Sequence, residues 1–216
     1  MNSAGFETVI LDVDSTLCGI EGIDWLAGQR GDAVSLRVAD LTDRAMRGDI
    51  PLDDVYGERL KLVRPSRALV NALSKEYLAA IAPHAASAVR VLHQTGRRVV
   101  LMSGGIREAI LLVAAVVGIP EDEVHAVSVQ FDAHGEYAGF DAQSPLTTAT
   151  GKRTVAESLT LTRRVLAVGD GATDLAMRPA VDAFAAFTGF VRRDAVVASA
   201  DFVLESFDQL VEIVLA

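Results

Sequence analysis

Cysteine and histidine are scarce in this chain of 216 residues. The one cysteine, Cys18, has no partner within the chain, so an internal disulfide is excluded and a reducing compartment is expected. A zinc site built from thiolates and imidazoles is not expected either. The four histidines are scattered without the spacing of metal ligands, and we predict surface or packing roles for His84, His93, His125 and His134.

Long apolar runs and a targeting pattern are also missing. The most apolar stretch, residues 110–117, is too short to span a bilayer and directly follows Arg107 and Glu108. Residues 1–7 lack the basic and then apolar pattern of a signal peptide. We therefore expect a cytoplasmic protein.

Positive charge is in deficit, with 20 Lys and Arg residues against 29 Asp and Glu residues and a net charge of −9. This balance argues against nucleic acid or an anionic membrane as a partner, but a locally positive site for an anionic substrate is still possible. Half of the residues are hydrophobic, which is enough to bury a sizeable core. The length suits one domain, or one domain with a modest insert, and leaves the oligomeric state open.

Short β-branched and apolar runs alternate with helical patterns along most of the chain. The runs predict strands at residues 8–13, 98–102, 165–168, 183–187 and, more weakly, 202–204. The helical patterns lie at residues 85–94, 106–117, 152–159, 192–198 and 207–215. This alternation predicts an α/β fold, with a Rossmann-like parallel sheet and helices on both faces.

Two segments interrupt the alternation. Residues 21–80 have helical periodicity and frequent charges, which predicts a small helical insert, and Pro83 marks the return to the main domain. We expect a core domain of residues 1–16 and 82–216 and a helical cap of residues 17–81. The second segment, residues 127–140, has two β-rich stretches around Asp-Ala-His-Gly, which predicts a β-hairpin.

Two pairs of aspartates follow predicted strands directly. Asp12 and Asp14 end the first strand, and alternation places both side chains on one side of it. Asp170 and Asp174 follow the strand at residues 165–168 on a glycine-rich turn. The carboxyl ends of parallel strands meet at one edge of a sheet, so these carboxylates should converge there. Without a cation they would repel one another, and an all-oxygen ligand set favours Mg²⁺ over zinc.

Two further elements suit an anion. Ser103-Gly104-Gly105 lies between a predicted strand and the helix predicted from Ile106, so free backbone N–H groups and a hydroxyl are expected at a helix start. Lys152 begins a predicted helix after a glycine. Either element alone is more often an ordinary loop or a solvated lysine, but together with the aspartates they indicate a phosphate site.

The order of these elements resembles the haloacid dehalogenase superfamily and, within it, the phosphoserine phosphatases, over nearly the whole chain. The stretches that carry the resemblance are Asp12-Val-Asp-Ser-Thr-Leu, Glu21-Gly-Ile-Asp, Arg44-Ala-Met-Arg-Gly, Glu58-Arg-Leu, Ser103-Gly-Gly, Gly135-Glu-Tyr-Ala-Gly-Phe-Asp and Gly169-Asp-Gly-Ala-Thr-Asp. The resemblance implies Mg²⁺-dependent hydrolysis of a small phosphorylated amino acid, O-phosphoserine, in serine biosynthesis.

The resemblance also assigns roles to the four aspartates. Asp12 is implied to be the nucleophile that becomes phosphorylated, and Asp14 the general acid and then the general base. Asp12, the backbone carbonyl of Asp14, and Asp170 are implied to hold Mg²⁺. Asp174 would orient these ligands without belonging to the metal-binding set itself.

Roles in substrate binding follow from the same resemblance. The phosphoryl oxygens would be held by Ser103, the N–H of Gly104 and Lys152, with Thr173 near the substrate. From the cap, Glu21 would bind the ammonium group and Arg59 the carboxylate of the amino acid. Met46 and Leu52 of the cap would line the lid. Leu52 and Ile106 stand where the family usually has Phe, and each would replace an aromatic side chain near the substrate.

Because of these two departures, the chemistry is better supported by the sequence than the substrate is. The same machinery could act on another small phosphomonoester such as phosphohomoserine, histidinol phosphate or phosphoethanolamine. A signalling receiver also phosphorylates an aspartate at a strand end, but it lacks the helical insert and the second aspartate. A non-catalytic binding protein on this scaffold should have lost Asp12, Asp14, Lys152 or Asp170, and the chain has all four.

Overall fold

The computed structural model of this chain describes residues 5–46 and 49–216, without the side chains of Ala45, Met46 and Leu52. Within these ranges, none of the helices combines the length and the apolar character that crossing a bilayer requires.

The strands of the described molecule are β1 (Thr8–Leu11), β2 (Arg98–Ile106), β3 (Val124–Val127), β4 (Val129–Phe131), β5 (Tyr137–Phe140), β6 (Val165–Gly169), β7 (Ala183–Phe187) and β8 (Phe202–Leu204). Six of them form a central parallel sheet in the order β3-β2-β1-β6-β7-β8. A separate antiparallel pair, β4 with β5, forms the predicted hairpin. The α/β architecture is therefore confirmed.

Helices cover the sheet and form the insert after β1. The insert contains α1 (Gly22–Gly28), α2 (Asp32–Met46), α3 (Leu52–Val63) and α4 (Arg67–Ala79), which confirms its helical character. The remaining helices are α5 (Ala85–Gln94), α6 (Arg107–Val117), α7 (Gly151–Ser158), α8 (Ala172–Leu175), α9 (Asp194–Val197) and α10 (Phe207–Leu215).

The central strands are apolar because they are covered on both faces. Every residue of β1 and of β6 is buried, and both strands lie in the middle of the sheet. Such strands show continuous apolar runs instead of alternation, which is why they could be located in the sequence. The ends of α5 and α6 were also predictable, since Gly96 and Gly118 follow them with φ of 77° and 86°, a conformation that favours glycine.

The two connections between the insert and the sheet run side by side. The N–H of Gly19 donates to the carbonyl of Ala80 at 2.9 Å, and the N–H of Ala82 donates to the carbonyl of Leu17 at 2.9 Å. Both connections therefore lie next to the end of β1. The division into a core of residues 1–16 and 82–216 and a cap of residues 17–81 stays a prediction.

Three local predictions were wrong. Strand β2 continues through Ser103-Gly-Gly to Ile106, and α6 begins at Arg107, so these glycines do not lie at a helix start. The register between β2 and β3 shifts between Met102 and Ile106, because the Ser-Gly-Gly stretch bulges out of the ladder. Strand β3 was not predicted, and α9 is shorter than expected. β3, with the sequence Val-His-Ala-Val, has two half-buried residues between two buried ones and so lacks the continuous apolar run of β1. α9 has four residues, barely more than one helical turn.

Candidate active site

The pairing of β1 with β6 brings the two aspartate motifs together. Leu11 lies opposite Val168, and the N–H of Asp12 donates to the carbonyl of Val168 at 3.0 Å. Asp12 and Asp170 therefore leave the sheet side by side at its carboxyl edge. One carboxylate oxygen from each of Asp12, Asp170 and Asp174 lies within 4.8 Å of the others.

Asp174 reaches this cluster because Gly169 gives it room. A Cβ at position 169 would lie 2.1 Å from Cγ of Asp174, closer than two non-bonded carbon atoms can approach. The N–H of Gly171 donates to Oδ2 of Asp174 at 3.0 Å, at the start of α8. The glycines of this motif therefore let a buried carboxyl lie directly against the backbone of the turn.

Lys152 connects two of the clustered aspartates. Its Nζ donates to Oδ1 of Asp12 at 2.5 Å and to Oδ1 of Asp174 at 2.6 Å, and all three residues are buried. Burial by itself would lower the pKa of Lys152, but the carboxylates of Asp12 and Asp174 raise it above its ordinary value. Lys152 is thus kept positively charged in the buried part of the site.

The buried carboxyls carry raised pKa values. Burial, and then the nearby charge of Asp174, raise the pKa of Asp12 well above its ordinary value, although Lys152 opposes the shift. Burial likewise raises the pKa of Asp170, against the effect of a hydrogen bond from Arg193. Each of these carboxyls would release its proton more readily if a cation lay among them.

Asp14 lines the same pocket as Asp12, but its side chain is held by different partners. Oδ1 of Asp14 accepts hydrogen bonds from the hydroxyl of Tyr77 at 2.6 Å and from the N–H of Gly22 at 2.8 Å. Burial raises the pKa of Asp14, and these two hydrogen bonds oppose the rise. Its carboxyl is therefore oriented separately from the aspartate cluster.

The two predicted cap residues line the pocket, each with a protein partner. Oε1 of Glu21 accepts from the hydroxyl of Ser15 at 2.7 Å. Burial, and next the charge of Asp14, raise the pKa of Glu21 to about 7. Nη2 of Arg59 lies 2.5 Å from Oδ1 of Asp24, whose side chain is 50% exposed. Both residues thus face the pocket, and the partner of Arg59 is exposed enough for water or a ligand to replace it.

The remaining predicted residues are divided between the pocket and the core. Ser103, Gly104 and Thr173 line the pocket, and the hydroxyl of Ser103 accepts from the N–H of Gly105 at 2.9 Å. Ile106, expected near the substrate, is buried and lies outside the lining that the described residues form. The side chains of Met46 and Leu52 lie outside the described part of the chain.

Arg193 was missed in the sequence. Its Nε donates to Oδ2 of Asp170 at 2.8 Å, and its Nη2 lies 3.5 Å from Oε1 of Glu21. It therefore connects the sheet edge to the insert. A signal was present: Arg193 follows β7, the neighbour of β6, on the same carboxyl edge of the sheet.

The pocket as a whole favours a divalent cation. Its volume of about 240 Å³ suits a small ligand. Among the described residues, five carboxyls and three cationic side chains line it, an excess of two negative charges. Three of those carboxyls, from Asp12, Asp170 and Asp174, are buried within reach of one ion. A set of carboxylate oxygens without thiolate or imidazole fits a hard cation such as Mg²⁺.

The family model and the curated relatives of this chain agree with each other. Residues 6–182 match the family model of haloacid dehalogenase-like hydrolases. The chain is 38% identical over 207 residues to the phosphoserine phosphatase of Rattus norvegicus, covering 94% of this chain and 91% of the relative. It is 35% identical over 210 residues to the chloroplastic phosphoserine phosphatase of Arabidopsis thaliana, covering 95% and 70% respectively.

A solved structure shares the fold. The phosphoserine phosphohydrolase-like protein from Francisella tularensis has a TM-score of 0.84 at 24% identity, covering 96% of this chain and 99% of that chain. The hydrolase family model, which matches residues 6–182, leaves the signalling-receiver alternative without support. The chain belongs to the haloacid dehalogenase-like hydrolase family.

Proposed function

We propose that the chain is a Mg²⁺-dependent phosphomonoesterase that hydrolyses O-phosphoserine to serine and phosphate through a phosphorylated Asp12. The observation that carries the proposal is the position of Asp12. It is buried at the carboxyl edge of the sheet and accepts a hydrogen bond from Lys152. Glu21 and Arg59 line the same pocket. The phosphoserine phosphatases named above support the choice of substrate.

In the first half of the reaction, a carboxylate oxygen of Asp12 forms a bond to phosphorus. The bond from phosphorus to the serine oxygen breaks, and Asp14 gives that oxygen a proton. In the second half, Asp14 takes a proton from water as the water oxygen attacks phosphorus. Phosphate leaves, the carboxylate of Asp12 is restored, and Asp14 is protonated again.

Mg²⁺ would be held by Asp12, Asp170 and the backbone carbonyl of Asp14. When bound, it would offset the negative charge of the phosphoryl group. Asp174 suits an orienting role, because its Oδ1 accepts from Lys152 and its Oδ2 accepts from the N–H of Gly171.

The phosphoryl oxygens would be bound by groups that line the pocket. Ser103, the N–H of Gly104 and the ammonium group of Lys152 are suited to hold them, with Thr173 beside the substrate. Lys152 can act here because the surrounding carboxylates keep it charged. Its charge also lowers the repulsion between the dianionic phosphoryl group and Asp12.

The amino-acid part of the substrate would be recognised by the insert, acting as a cap. Glu21 would bind the ammonium group, and Arg59 would exchange Asp24 for the substrate carboxylate. Surface ion pairs stabilise a protein little, so an exposed partner such as Asp24 is easily displaced. The boundaries of the cap, residues 17–81, belong to this proposal, and the cytoplasmic location stays a prediction.

The test is phosphate release from a panel of substrates with Mg²⁺ present. We expect the highest kcat/KM with O-phosphoserine, loss of activity in chelator, and recovery on adding Mg²⁺. Ca²⁺ should support little turnover, since it binds carboxylates in bidentate fashion and would occupy both oxygens of Asp12. A higher kcat/KM with phosphohomoserine, histidinol phosphate or phosphoethanolamine would reject the assignment of O-phosphoserine as the substrate. Full activity in chelator would reject the proposed dependence on Mg²⁺.

A further inference from the structure

Tyr77 is a buried polar group beside the reaction centre that the proposed mechanism does not use. It lies near the end of α4, and its side chain has no exposed surface. Its hydroxyl donates to Oδ1 of Asp14 at 2.6 Å, across 63 positions of sequence. A phenol hydroxyl buried among apolar side chains needs a partner, and Asp14 is that partner.

Both donors to Asp14 come from the insert. Gly22 begins α1, the first helix of the insert, and Tyr77 belongs to α4, the last. The N–H of Gly22 and the hydroxyl of Tyr77 donate hydrogen bonds to the same carboxyl oxygen, Oδ1. A Cβ at position 22 would lie 2.1 Å from the hydroxyl of Tyr77, so any side chain there would displace the hydroxyl. The glycine and the tyrosine therefore form one unit around Oδ1.

The other oxygen of Asp14 faces the opposite way. A Cβ built on Gly105 would lie 3.0 Å from Oδ2 of Asp14 and 3.1 Å from Oγ of Ser103. Gly105 and Ser103 both line the pocket, on the side where the phosphoryl group would bind. Holding Oδ1 against the insert therefore keeps Oδ2 directed to the position of the leaving oxygen.

We propose that Tyr77 is a positioning residue, which orients the carboxyl of Asp14 so that Oδ2 meets the leaving oxygen of the substrate. The insert would then complete the general acid as well as bind the amino acid, because its first and last helices supply both donors to Oδ1. This inference rests on the proposed function, in which Asp14 protonates the leaving group.

The test compares two leaving groups in the variant Tyr77→Phe, which removes the hydroxyl and keeps the ring. Ethyl phosphate releases an alkoxide that needs a proton, whereas p-nitrophenyl phosphate releases a phenolate that does not. Neither ester has the ammonium or the carboxylate that Glu21 and Arg59 would bind, so recognition of the amino acid does not enter the comparison. The value of kcat/KM reports the steps up to departure of the leaving group, so the later step with water does not enter either. We expect kcat/KM for ethyl phosphate to fall about tenfold to a hundredfold, and that for the aryl ester to change less than about twofold.

The matched control is Tyr137→Phe, the same change at a residue of the hairpin that does not line the pocket formed by the described residues. It should leave kcat/KM unchanged for both substrates. A second variant, Gly22→Ala, displaces the hydroxyl of Tyr77 instead of removing it and should give the same selective loss. It carries the test if Tyr77→Phe does not fold. The ratio of the two kcat/KM values does not depend on how much of a sample is folded.

Asp14→Asn, measured in parallel, separates this inference from the proposed function. If Asp14→Asn does not lose activity with phosphoserine, the proposed function fails. If it does, yet Tyr77→Phe and Gly22→Ala match the wild type or lower both substrates equally, the positioning role of Tyr77 is overturned. If Asp14→Asn loses phosphoserine activity, and Tyr77→Phe and Gly22→Ala lose activity with ethyl phosphate but not with the aryl ester, both stand.

Discussion

The two sides of the pocket are built differently. On the sheet side, Asp12, Asp174 and Lys152 are at most 5% exposed, and the hydrogen bonds from Lys152 to the two aspartates are 2.5 to 2.6 Å long. On the insert side, the side chains of Glu21 and Arg59 are 44% and 18% exposed, and Arg59 is paired with a half-exposed Asp24. These three charges of the sheet side are held by one another, whereas Arg59 of the insert side is held by a group that a substrate can replace.

The difference follows from the cost of burying charge. A carboxylate out of water must have a partner, and removing that partner is strongly destabilising. A partly exposed ion pair contributes less, because water already solvates its exposed member. The sheet side can therefore be organised before a substrate arrives, as in-line attack requires, while the insert side can still change partners to recognise one.

The largest effect should come from changing Asp12 to Asn on the sheet side. The variant keeps the shape of the side chain but removes the attacking charge and a metal ligand, so turnover of phosphoserine should fall about 10⁴-fold or more. Phosphate release at saturating substrate measures it. Asp32→Asn, on an exposed position of α2, is the control and should retain full turnover. Near-normal turnover in Asp12→Asn would falsify the covalent mechanism.

Removing the cation of the sheet side should destabilise the fold. Lys152→Met leaves Asp12 and Asp174 buried without their shared partner, which should cost about 3–5 kcal/mol of unfolding free energy in chelator. Mg²⁺ should reduce that loss, because it binds the folded carboxylates. Urea unfolding with and without Mg²⁺ measures both effects. Lys61→Met, whose side chain is 69% exposed, should change stability by less than about 0.5 kcal/mol. Equal effects at the two positions would contradict this account of the sheet side.

On the insert side, Arg59→Ala should affect recognition and spare the chemistry. Loss of a charge-assisted pair with the substrate carboxylate, desolvated beneath the cap, should cost about 2–5 kcal/mol. That is about a thirtyfold to several-thousandfold drop in kcat/KM for phosphoserine, with p-nitrophenyl phosphate almost unchanged. Lys61→Ala, on the same helix, is the control. An equal loss with both substrates would mean that Arg59 supports the fold or the cap.

The smallest expected effect is a dependence on pH through Glu21. Its pKa is raised to about 7, so the carboxylate that attracts an ammonium group is lost as the pH falls through that value. Between pH 8 and pH 6 the ionised fraction drops about tenfold, and KM for phosphoserine should rise by about that factor. The aryl ester shares the titration of the phosphate and serves as the reference. In Glu21→Gln the difference between the two substrates should disappear; a difference that persists would assign it to another group.

Much of the sheet side could be predicted from the sequence. The buried strands at the centre show continuous apolar runs, and the parallel arrangement directs Asp12 and Asp170 to one edge. Prediction was poorer at the edge formed by β3 and the end of β2. β3 lacks a continuous apolar run and the Ser-Gly-Gly stretch bulges, so pairing with neighbouring strands, and not local pattern, decides their conformation.

Residues that act through distant partners could not be found in the same way. Tyr77 meets Asp14 across 63 positions, and nothing local in the sequence marks that contact. The place of Arg193 after β7 indicates that it lies near the carboxyl edge, but not that it meets Asp170 across 23 positions. Arg59 was predicted to face the pocket, but its pairing with Asp24 across 35 positions depends on how α1 and α3 lie together. Contacts of this kind arise from the docking of whole helices.

Local sequence patterns were enough to predict the α/β class, the order of most elements and most of the acidic, basic and hydroxyl groups at the carboxyl edge of the sheet. These follow from short-range periodicity and from the handed, parallel connection of strand to helix, which are local properties of the chain. Tertiary packing alone sets which oxygen of Asp14 is held, which carboxylates share Lys152, and which charges remain exposed. Those depend on distances of a few ångströms between elements far apart in the chain, where burial and competing partners set the outcome.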